Sequence, residues 1–275
     1  MESIAIVQRG KAFAQEKVTL PPLKEHQVYV KVEYAAFNPT DRLALDVNAF
    51  GDGAVLGCDF AGTVAEAHPS VTRLQTGDSV AGFVWGATVG YFAIQLAKLY
   101  NIEVATTCSP RSFEKVRQAG ATHVFDYNDK DVIAKIKHAL PNLENVFDTV
   151  GNETSSATAA GAISGTEGLL CTVRPGKANT QDVPSYVKVT EVFVFTAFPT
   201  EHTYRGKAHW PVKMEDHKIS AEFHGQLKDL LDIGSLKPPP IRSMGQLSSS
   251  TVEEAMDLNR QGRISGEKLV FDGLS

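Results

Sequence analysis

The sequence predicts an α/β protein in which a β-rich N-terminal domain precedes a doubly wound parallel sheet. Up to residue 85 the chain alternates short β runs with turns, whereas from Gly86 onward strands alternate regularly with helices. Between the two parts, an apolar strand-like run at 77–84 leads almost directly into a glycine turn at 86–90. An amphipathic helix follows at 91–99. Strand, glycine turn and helix in this order typically open a dinucleotide-binding βαβ unit.

The N-terminal part, residues 1–85, is expected to form a small antiparallel barrel. Residues 27–34 alternate in hydrophobicity with the period of a half-buried strand, and residues 61–67 resemble a second strand. The turn at 76–78 introduces a third strand. The helical signal here is confined to a turn after Asp41.

From Gly86 to residue 239 the pattern favours a nucleotide-binding domain. Strands separated by helices of ordinary length require right-handed crossovers, and these produce a parallel, doubly wound sheet. The expected strands are 102–107, 124–127, 146–150 and 169–173, and the expected helices are 113–119, 132–140 and 153–163.

The last third of the chain has mixed character. Residues 187–198 are strand-rich, 219–231 show helical spacing of apolar residues, and three prolines at 238–240 predict a stiff linker. Thr251 and Glu254 form a capping-box pattern for a helix through Leu258, and residues 268–271 form a closing strand.

Composition excludes several functional classes. The 275 residues are 43% apolar and 21% charged with a net charge of −5, which gives no reason to expect nucleic acid or an anionic membrane as a partner. Neither a bilayer-spanning stretch nor a signal peptide is recognisable, so a cytoplasmic location is expected. Three scattered cysteines and eight histidines lack metal-ligand spacing, so no metal is expected.

The residues after the glycine turn indicate which dinucleotide binds. Backbone amides at the turn can approach a pyrophosphate because the glycines leave room for it. An NAD site places a carboxylate about 20 residues further on to hold the ribose hydroxyls. At that distance this chain has hydroxyl groups and Arg111, followed by Lys115, and these suit a ribose phosphate. NADP(H) is therefore favoured over NAD(H), although a solvated polar loop would give the same pattern.

Several motifs together resemble the zinc-free medium-chain dehydrogenase/reductase superfamily. They are NPTD at 38–41, GCDFAG at 57–62, GDSV at 77–80, AIQLAK at 93–98 and SGEK at 265–268. Within it, ATTCSP at 105–110 and VFDY at 124–127 are most similar to fungal trans-acting enoyl reductases of polyketide pathways.

The resemblance implies a GroES-like barrel, to which residues 240–275 return, and a Rossmann domain. It implies that NADPH lies in the cleft between them and reduces a conjugated C=C or a quinone. Zinc-binding relatives carry a histidine–glutamate pair where this chain has Cys58 and Asp59, so no metal is implied. By motif position, the implied cofactor contacts are Gly86, Thr88, Val89, Gly90, Ser109, Arg111, Lys115, Tyr127, Thr149, Gly151 and Lys268.

Three departures from the family pattern bear on catalysis. A block that normally ends the barrel and contains the first Rossmann strand is missing between Val84 and Gly86, and the glycine turn is shortened. Many relatives have NPxDxK, and here Leu43 replaces its lysine and follows Arg42. Because a parallel sheet cannot lose its central strand without exposing backbone groups, either residues 79–85 become that strand or a partner subunit supplies it, making a homodimer.

Three functions fit this sequence. The first is NADPH-dependent reduction of a conjugated C=C, with water or a hydroxyl such as Tyr34 as the proton source. The second is a redox-inactive cyclase or isomerase from a retired reductase that has lost NADPH, in which Asp41, Arg42 or Tyr34 would stabilise an enolate or the apolar cleft would fold a polyene. The third is a non-catalytic partner that docks on a polyketide synthase. For the first two, the substrate would be a small-molecule or carrier-bound polyketide, and the catalytic candidates are Tyr34, Asn38, Asp41 and Arg42.

Overall fold

The computed structural model describes residues 1–82, 89–204 and 208–273. Within them the chain forms fourteen strands and seven α-helices. The strands are β1 (Glu2–Arg9), β2 (Ala12–Thr19), β3 (Val28–Ala36), β4 (Asp59–Ala67), β5 (Ser79–Gly82), β6 (Ala105–Cys108), β7 (His123–Asp126), β8 (Asn145–Asp148), β9 (Gly168–Thr172), β10 (Val187–Glu191), β11 (His202–Tyr204), β12 (Ala208–Trp210), β13 (Ile241–Gln246) and β14 (Lys268–Asp272). The helices are α1 (Pro39–Asp46), α2 (Val89–Leu99), α3 (Phe113–Ala119), α4 (Val132–Ala139), α5 (Ser155–Gly161), α6 (Met214–Asp232) and α7 (Ser249–Arg260).

The chain divides into two compact units. Unit 1 comprises residues 1–88 and 239–275, and unit 2 comprises residues 89–238. No helix within the described ranges is long and apolar enough to cross a membrane.

Unit 1 is built on a five-stranded sheet of order β13-β14-β3-β4-β5. Its pairs are antiparallel except β13 and β14, which run parallel, so the C-terminal strands complete a mixed rather than a purely antiparallel sheet. The hairpin β1–β2 forms a separate two-stranded sheet. Helices α1 and α7 contribute to one apolar core, because Leu45 and Met256 are buried there with Leu269 and Phe271 of β14.

The start of α7 corrects the predicted cap. Ser248, not Thr251, is the N-cap: its Oγ accepts the Thr251 backbone N–H at 3.2 Å, and Thr251 Oγ1 accepts the Ser248 N–H at 3.0 Å. The predicted box fails because it places the cap one turn too late, where Thr251 is already in the helix. The same threonine serves as the third residue of the observed box.

We therefore expect Ser248→Ala to lower the free energy of unfolding by about 1 kcal/mol, because the backbone N–H of Thr251 loses the Ser248 hydroxyl that caps it. Glu254→Ala, which removes the partner in the box predicted from sequence, is expected to change it by no more than a few tenths of a kcal/mol. Urea denaturation of the two variants measures both values, and a larger loss for Glu254→Ala would contradict the observed cap.

Unit 2 has the alternation of a doubly wound fold. Strands β6 and β7 are parallel and joined through α3, and β8, β9 and β10 form a second parallel sheet of order β10-β9-β8. Helix α4 connects the two sheets, and its Val132 and Ile136 share an apolar cluster with Ala105 of β6 and Phe125 of β7. Residues 187–198 are strand only as far as Glu191, after which a 3₁₀ turn covers Val194–Ala197.

The described residues contain no strand that pairs with β6 on one side and β8 on the other. One of the two alternatives predicted from the sequence is that residues 79–85 replace this missing central strand. That prediction is wrong for Ser79–Gly82, because these residues pair antiparallel with β4 as β5 of unit 1. Gly82 fits there because a Cβ would lie 2.5 Å from the Phe60 ring, so the strand is seated against β4 by close packing. Residues 83–85 lie outside the described residues, and the homodimer remains a prediction.

Candidate functional site

The carboxyl ends of β6 and β7 carry four predicted cofactor residues in or near their loops. Ser109 precedes a 3₁₀ turn, Pro110–Ser112, which contains the exposed Arg111. Tyr127 follows β7 and is 58% exposed, and Lys115 lies in the first turn of α3. The structure thus brings a guanidinium and hydroxyl groups to one sheet edge, where ligands bind in open α/β sheets.

The first turn of α2 contacts both halves of unit 2. A Cβ on Gly90 would lie 3.2 Å from Thr149 Oγ1, after β8, so glycine permits this close approach. The next residue, Tyr91, carries the Lys115 ammonium 5.0 Å from its ring centroid. The start of α2 therefore contacts Thr149, which follows β8, through Gly90, and Lys115, which follows β6, through Tyr91. Val89 is exposed at the helix start, while Gly86 and Thr88 lie outside the described residues.

Asp148, at the end of β8, organises the loop that holds Thr149 and Gly151. Its Oδ1 accepts the backbone N–H groups of Val150 and Gly151, both at 2.9 Å, and its Oδ2 accepts the hydroxyls of Ser155 at 2.8 Å and Ser156 at 2.6 Å. Burial acts to raise the pKa of Asp148, but these four hydrogen bonds outweigh it and hold the pKa below its ordinary value.

Gly151 is fixed by two side chains from the segment after β9. Its carbonyl oxygen accepts Nε of Arg174 and Nδ2 of Asn179, both at 2.8 Å. It adopts φ +63°, and a Cβ would lie 2.2 Å from Arg174 Cγ, so glycine is required. Neither Arg174 nor Asn179 was among the predicted site residues, because loop side chains about 25 residues away carry no local pattern.

A second polar cluster lies in unit 1. Because Ala36 of β3 pairs with both Val270 of β14 and Asp59 of β4, the ends of three strands meet near the start of α1. Lys268 Nζ lies 2.5 Å from Asp59 Oδ2 and donates to Asn38 Oδ1 at 2.6 Å. We call Asn38, Asp41, Cys58, Asp59 and Lys268 the ammonium cluster.

Asn38 and Asp41 are linked by the cap of α1. The backbone N–H of Asn38 donates to Asp41 Oδ2 at 2.7 Å, and Asp41 is 8% exposed. Burial raises the pKa of Asp41 to about 6. The negative charge of Asp59 also raises this pKa, whereas the hydrogen bond from Asn38 and the positive charge of Lys268 lower it. Desolvation, with the nearby Asp41 and Asp59, raises the pKa of Cys58 to about 11, so its thiol stays protonated at neutral pH.

The other two catalytic candidates are placed differently. Tyr34 lies on β3 and is half exposed. Arg42 donates to Asp46 Oδ2 and to Asn259 Oδ1, both at 2.7 Å, so its guanidinium joins α1 to α7 instead of belonging to the ammonium cluster. Leu43 is 50% exposed. No group of three or more potential ligands in the described parts of the chain could hold a metal ion.

Comparisons with known proteins match both parts of the chain. The alcohol dehydrogenase GroES-like domain matches residues 24–99, and the zinc-binding dehydrogenase domain matches residues 88–194. A solved quinone oxidoreductase from Coxiella burnetii superposes with a TM-score of 0.70 at 18% identity, covering 99% of each chain. The chain therefore belongs to the medium-chain dehydrogenase/reductase superfamily, whose members are NAD(P)-dependent oxidoreductases, with a GroES-like and a Rossmann-like part.

Within that superfamily, the chain is similar to fungal trans-enoyl reductases. ACTTS2 of Alternaria alternata is 27% identical over 341 aligned positions, which cover 97% of each chain. BOA5 of Botryotinia fuckeliana is 33% identical over 193 positions, or 69% of this chain and 51% of BOA5. The longer alignment has at least 66 more positions than this chain's 275 residues, so ACTTS2 contains segments that this chain lacks.

Proposed function

We propose that this protein is an NADPH-dependent reductase of a conjugated C=C, of the enoyl or quinone type, in fungal polyketide or secondary metabolism. Membership of the superfamily and the names of the fungal relatives support the reaction class. The observation that carries the choice of cofactor is the exposed Arg111, set between hydroxyl groups at the carboxyl end of β6.

The residues at this sheet edge fit a ribose 2′-phosphate. Arg111 supplies a permanent charge with a planar donor fork, and Ser109 and Tyr127 supply hydroxyl donors. Lys115, above the Tyr91 ring, would add a second positive charge. Thr149 and Gly151, held by Asp148, would line the nicotinamide side. NADPH bound there would supply the hydride.

Asp41 is the residue best suited to hold a transferable proton. Its pKa of about 6 keeps part of its population protonated close to neutral pH, where a general acid is most effective. Arg42 cannot take this role, because a guanidinium stays charged and this one is engaged by Asp46 and Asn259. The exposed Tyr34 hydroxyl is the other proton source that this proposal allows.

The cofactor assignment is tested by Arg111→Ala. We expect NADPH affinity to fall about 30-fold, because a charge-assisted hydrogen bond to phosphate is worth about 1.5–3 kcal/mol, while NADH affinity changes less than about twofold. Calorimetric titration of both nucleotides gives the two ratios, with Lys218→Ala on the exposed surface of α6 as the control. Equal losses for NADPH and NADH would contradict a phosphate contact.

A cofactor-independent cyclase or isomerase is the second candidate. It is favoured by the lack, among the described residues, of a strand between β6 and β8, and by the exposed Leu43 at the position of the relatives' lysine. Conversion of a polyene substrate without NADPH would establish this function in place of the reductase.

A further inference from the structure

The buried amide of Asn38 lacks a hydrogen-bond acceptor. Asn38 is 0% exposed, and its Nδ2 has no partner among the described residues. A buried donor left unpaired costs about 1–3 kcal/mol, so a ligand or a water molecule that supplies an acceptor would be stabilised there. The cluster reaches the surface of unit 1 at Cys58, which is exposed.

The orientation of this amide is fixed by chemistry. An ammonium group only donates hydrogen bonds, so the contact of Lys268 Nζ with Asn38 must be made to the carbonyl oxygen, Oδ1. Nδ2 therefore points away from Lys268. Lys268 is in turn held by Asp59, whose side chain is only 12% exposed. The chain of contacts from Asp59 through Lys268 thus decides which face Asn38 offers to a ligand.

We propose that Asp59, acting through Lys268, orients Asn38 so that Nδ2 donates a hydrogen bond to the substrate's carbonyl oxygen. This proposal rests on the reductase function proposed above. Hydride addition to the β-carbon of an enone or enoyl thioester moves the C=C electron pair into an enolate, and negative charge grows on that oxygen. The α-carbon then takes a proton, and the C=C bond is saturated. A fixed donor at the oxygen stabilises this charge, and Asp59 is its positioning residue.

The binding half of the proposal is tested without NADPH. Cyclohexanone, a saturated ketone, is titrated into the full-length protein, and the Asn38 side-chain amide is followed in ¹H–¹⁵N spectra. We expect its signals to shift in the wild type and in Asp59→Glu, and to stay unmoved in Asp59→Asn. Asp257→Asn is the matched control, because it breaks another aspartate ion pair of unit 1 and should shift like the wild type. Unmoved wild-type signals, indicating that the amide takes water, or an unchanged shift in Asp59→Asn, would overturn the proposal.

The catalytic part of the proposal is tested by the NADPH-dependent reduction of 2-cyclohexen-1-one. For Asp59→Asn we expect kcat to fall about tenfold with little change in KM, because the donor acts on charge that develops in the transition state. Asp59→Glu is expected to restore most of kcat, and full wild-type kcat in Asp59→Asn would contradict the role. Should Asp59→Asn not fold, Lys268→Met asks the same question, because it removes the ammonium that donates to Asn38 Oδ1, and an unchanged amide shift there also contradicts the proposal. A cyclohexanone shift without any NADPH oxidation would remove the reductase function while leaving the carbonyl contact established.

Discussion

Replacement of Asp148 by alanine is expected to lower the free energy of unfolding by about 3–5 kcal/mol, the largest effect that we predict for a single side chain. The carboxylate is 5% exposed and accepts four hydrogen bonds, two from backbone amides and two from serine hydroxyls. Alanine leaves all four donors without this acceptor, and at least the buried Gly151 N–H and Ser156 hydroxyl cannot turn to water instead.

Denaturant unfolding of Asp148→Ala and of a matched variant, Asp126→Ala, measures this effect. Asp126 also ends a parallel strand, but its hydrogen bonds to Asn128 are exposed, so its loss should cost less than about 1 kcal/mol. The loop with Thr149 and Gly151 should loosen in Asp148→Ala. A loss as small as that of Asp126→Ala would show that Asp148 does not hold the loop.

The second large effect is a pH dependence that originates at Asp41. Its pKa is about 6 in the folded protein and 3.8 in an ordinary environment, so the folded state keeps the proton longer than the unfolded chain. Ionisation therefore costs stability: the contribution of this group is most favourable below pH 4 and falls as pH rises to about 6. At about 1.4 kcal/mol per pKa unit, the full change is about 3 kcal/mol.

Asp41→Asn removes this titration and keeps an oxygen to accept the Asn38 N–H. We expect the stability difference between Asp41→Asn and the wild type to move in favour of the variant by about 2–3 kcal/mol between pH 4 and pH 7. Urea unfolding across this range measures it. Asp46→Asn, on the same helix, should move in the opposite direction, because the hydrogen bond from Arg260 lowers the pKa of Asp46. A pH-independent difference for Asp41→Asn would show that folding does not raise the pKa of Asp41.

Local patterns predicted the elements of unit 2 well. Helix α3 covers the predicted range, Phe113–Ala119, and the four strands predicted between residues 102 and 173 lie within three residues of the observed ones, whereas the strand-rich stretch 187–198 is a strand only over Val187–Glu191. The reason is that hydrophobic period and turn residues act over a few positions, so they can be read from one sequence. The fold class, a GroES-like part with a Rossmann-like part, is confirmed by the comparisons.

Pairing between distant strands could not be predicted in the same way. Ser79–Gly82 is apolar enough for either sheet, and only its register with β4, together with the close contact of Gly82 with Phe60, decides that it belongs to unit 1. The same limit applies to the cap of α7, for which the sequence predicts Thr251 with Glu254, whereas the structure uses Ser248 with Thr251.

In the candidate site, too, local motifs identify some residues, whereas the roles of others depend on contacts between distant parts of the chain. Motifs indicated Asn38, Asp41 and Lys268, and the structure brings all three into one cluster. The sequence indicates Asp59 only as the counterpart of a metal-binding position, and it indicates Asp148 only as part of a strand. Their roles depend on contacts such as Lys268 with Asn38, which are 230 residues apart in sequence. A carboxylate that ends a predicted parallel strand and is followed by glycine and two serines could have identified Asp148.

The proposed reductase function requires that a nucleotide with a 2′-phosphate binds beside Arg111, although the described residues supply no strand between β6 and β8. Calorimetric titration of the purified full-length protein with NADPH and with NADH tests this directly. We expect micromolar affinity for NADPH and an affinity at least about tenfold weaker for NADH. Absence of NADPH binding, or equal affinity for the two nucleotides, would contradict it.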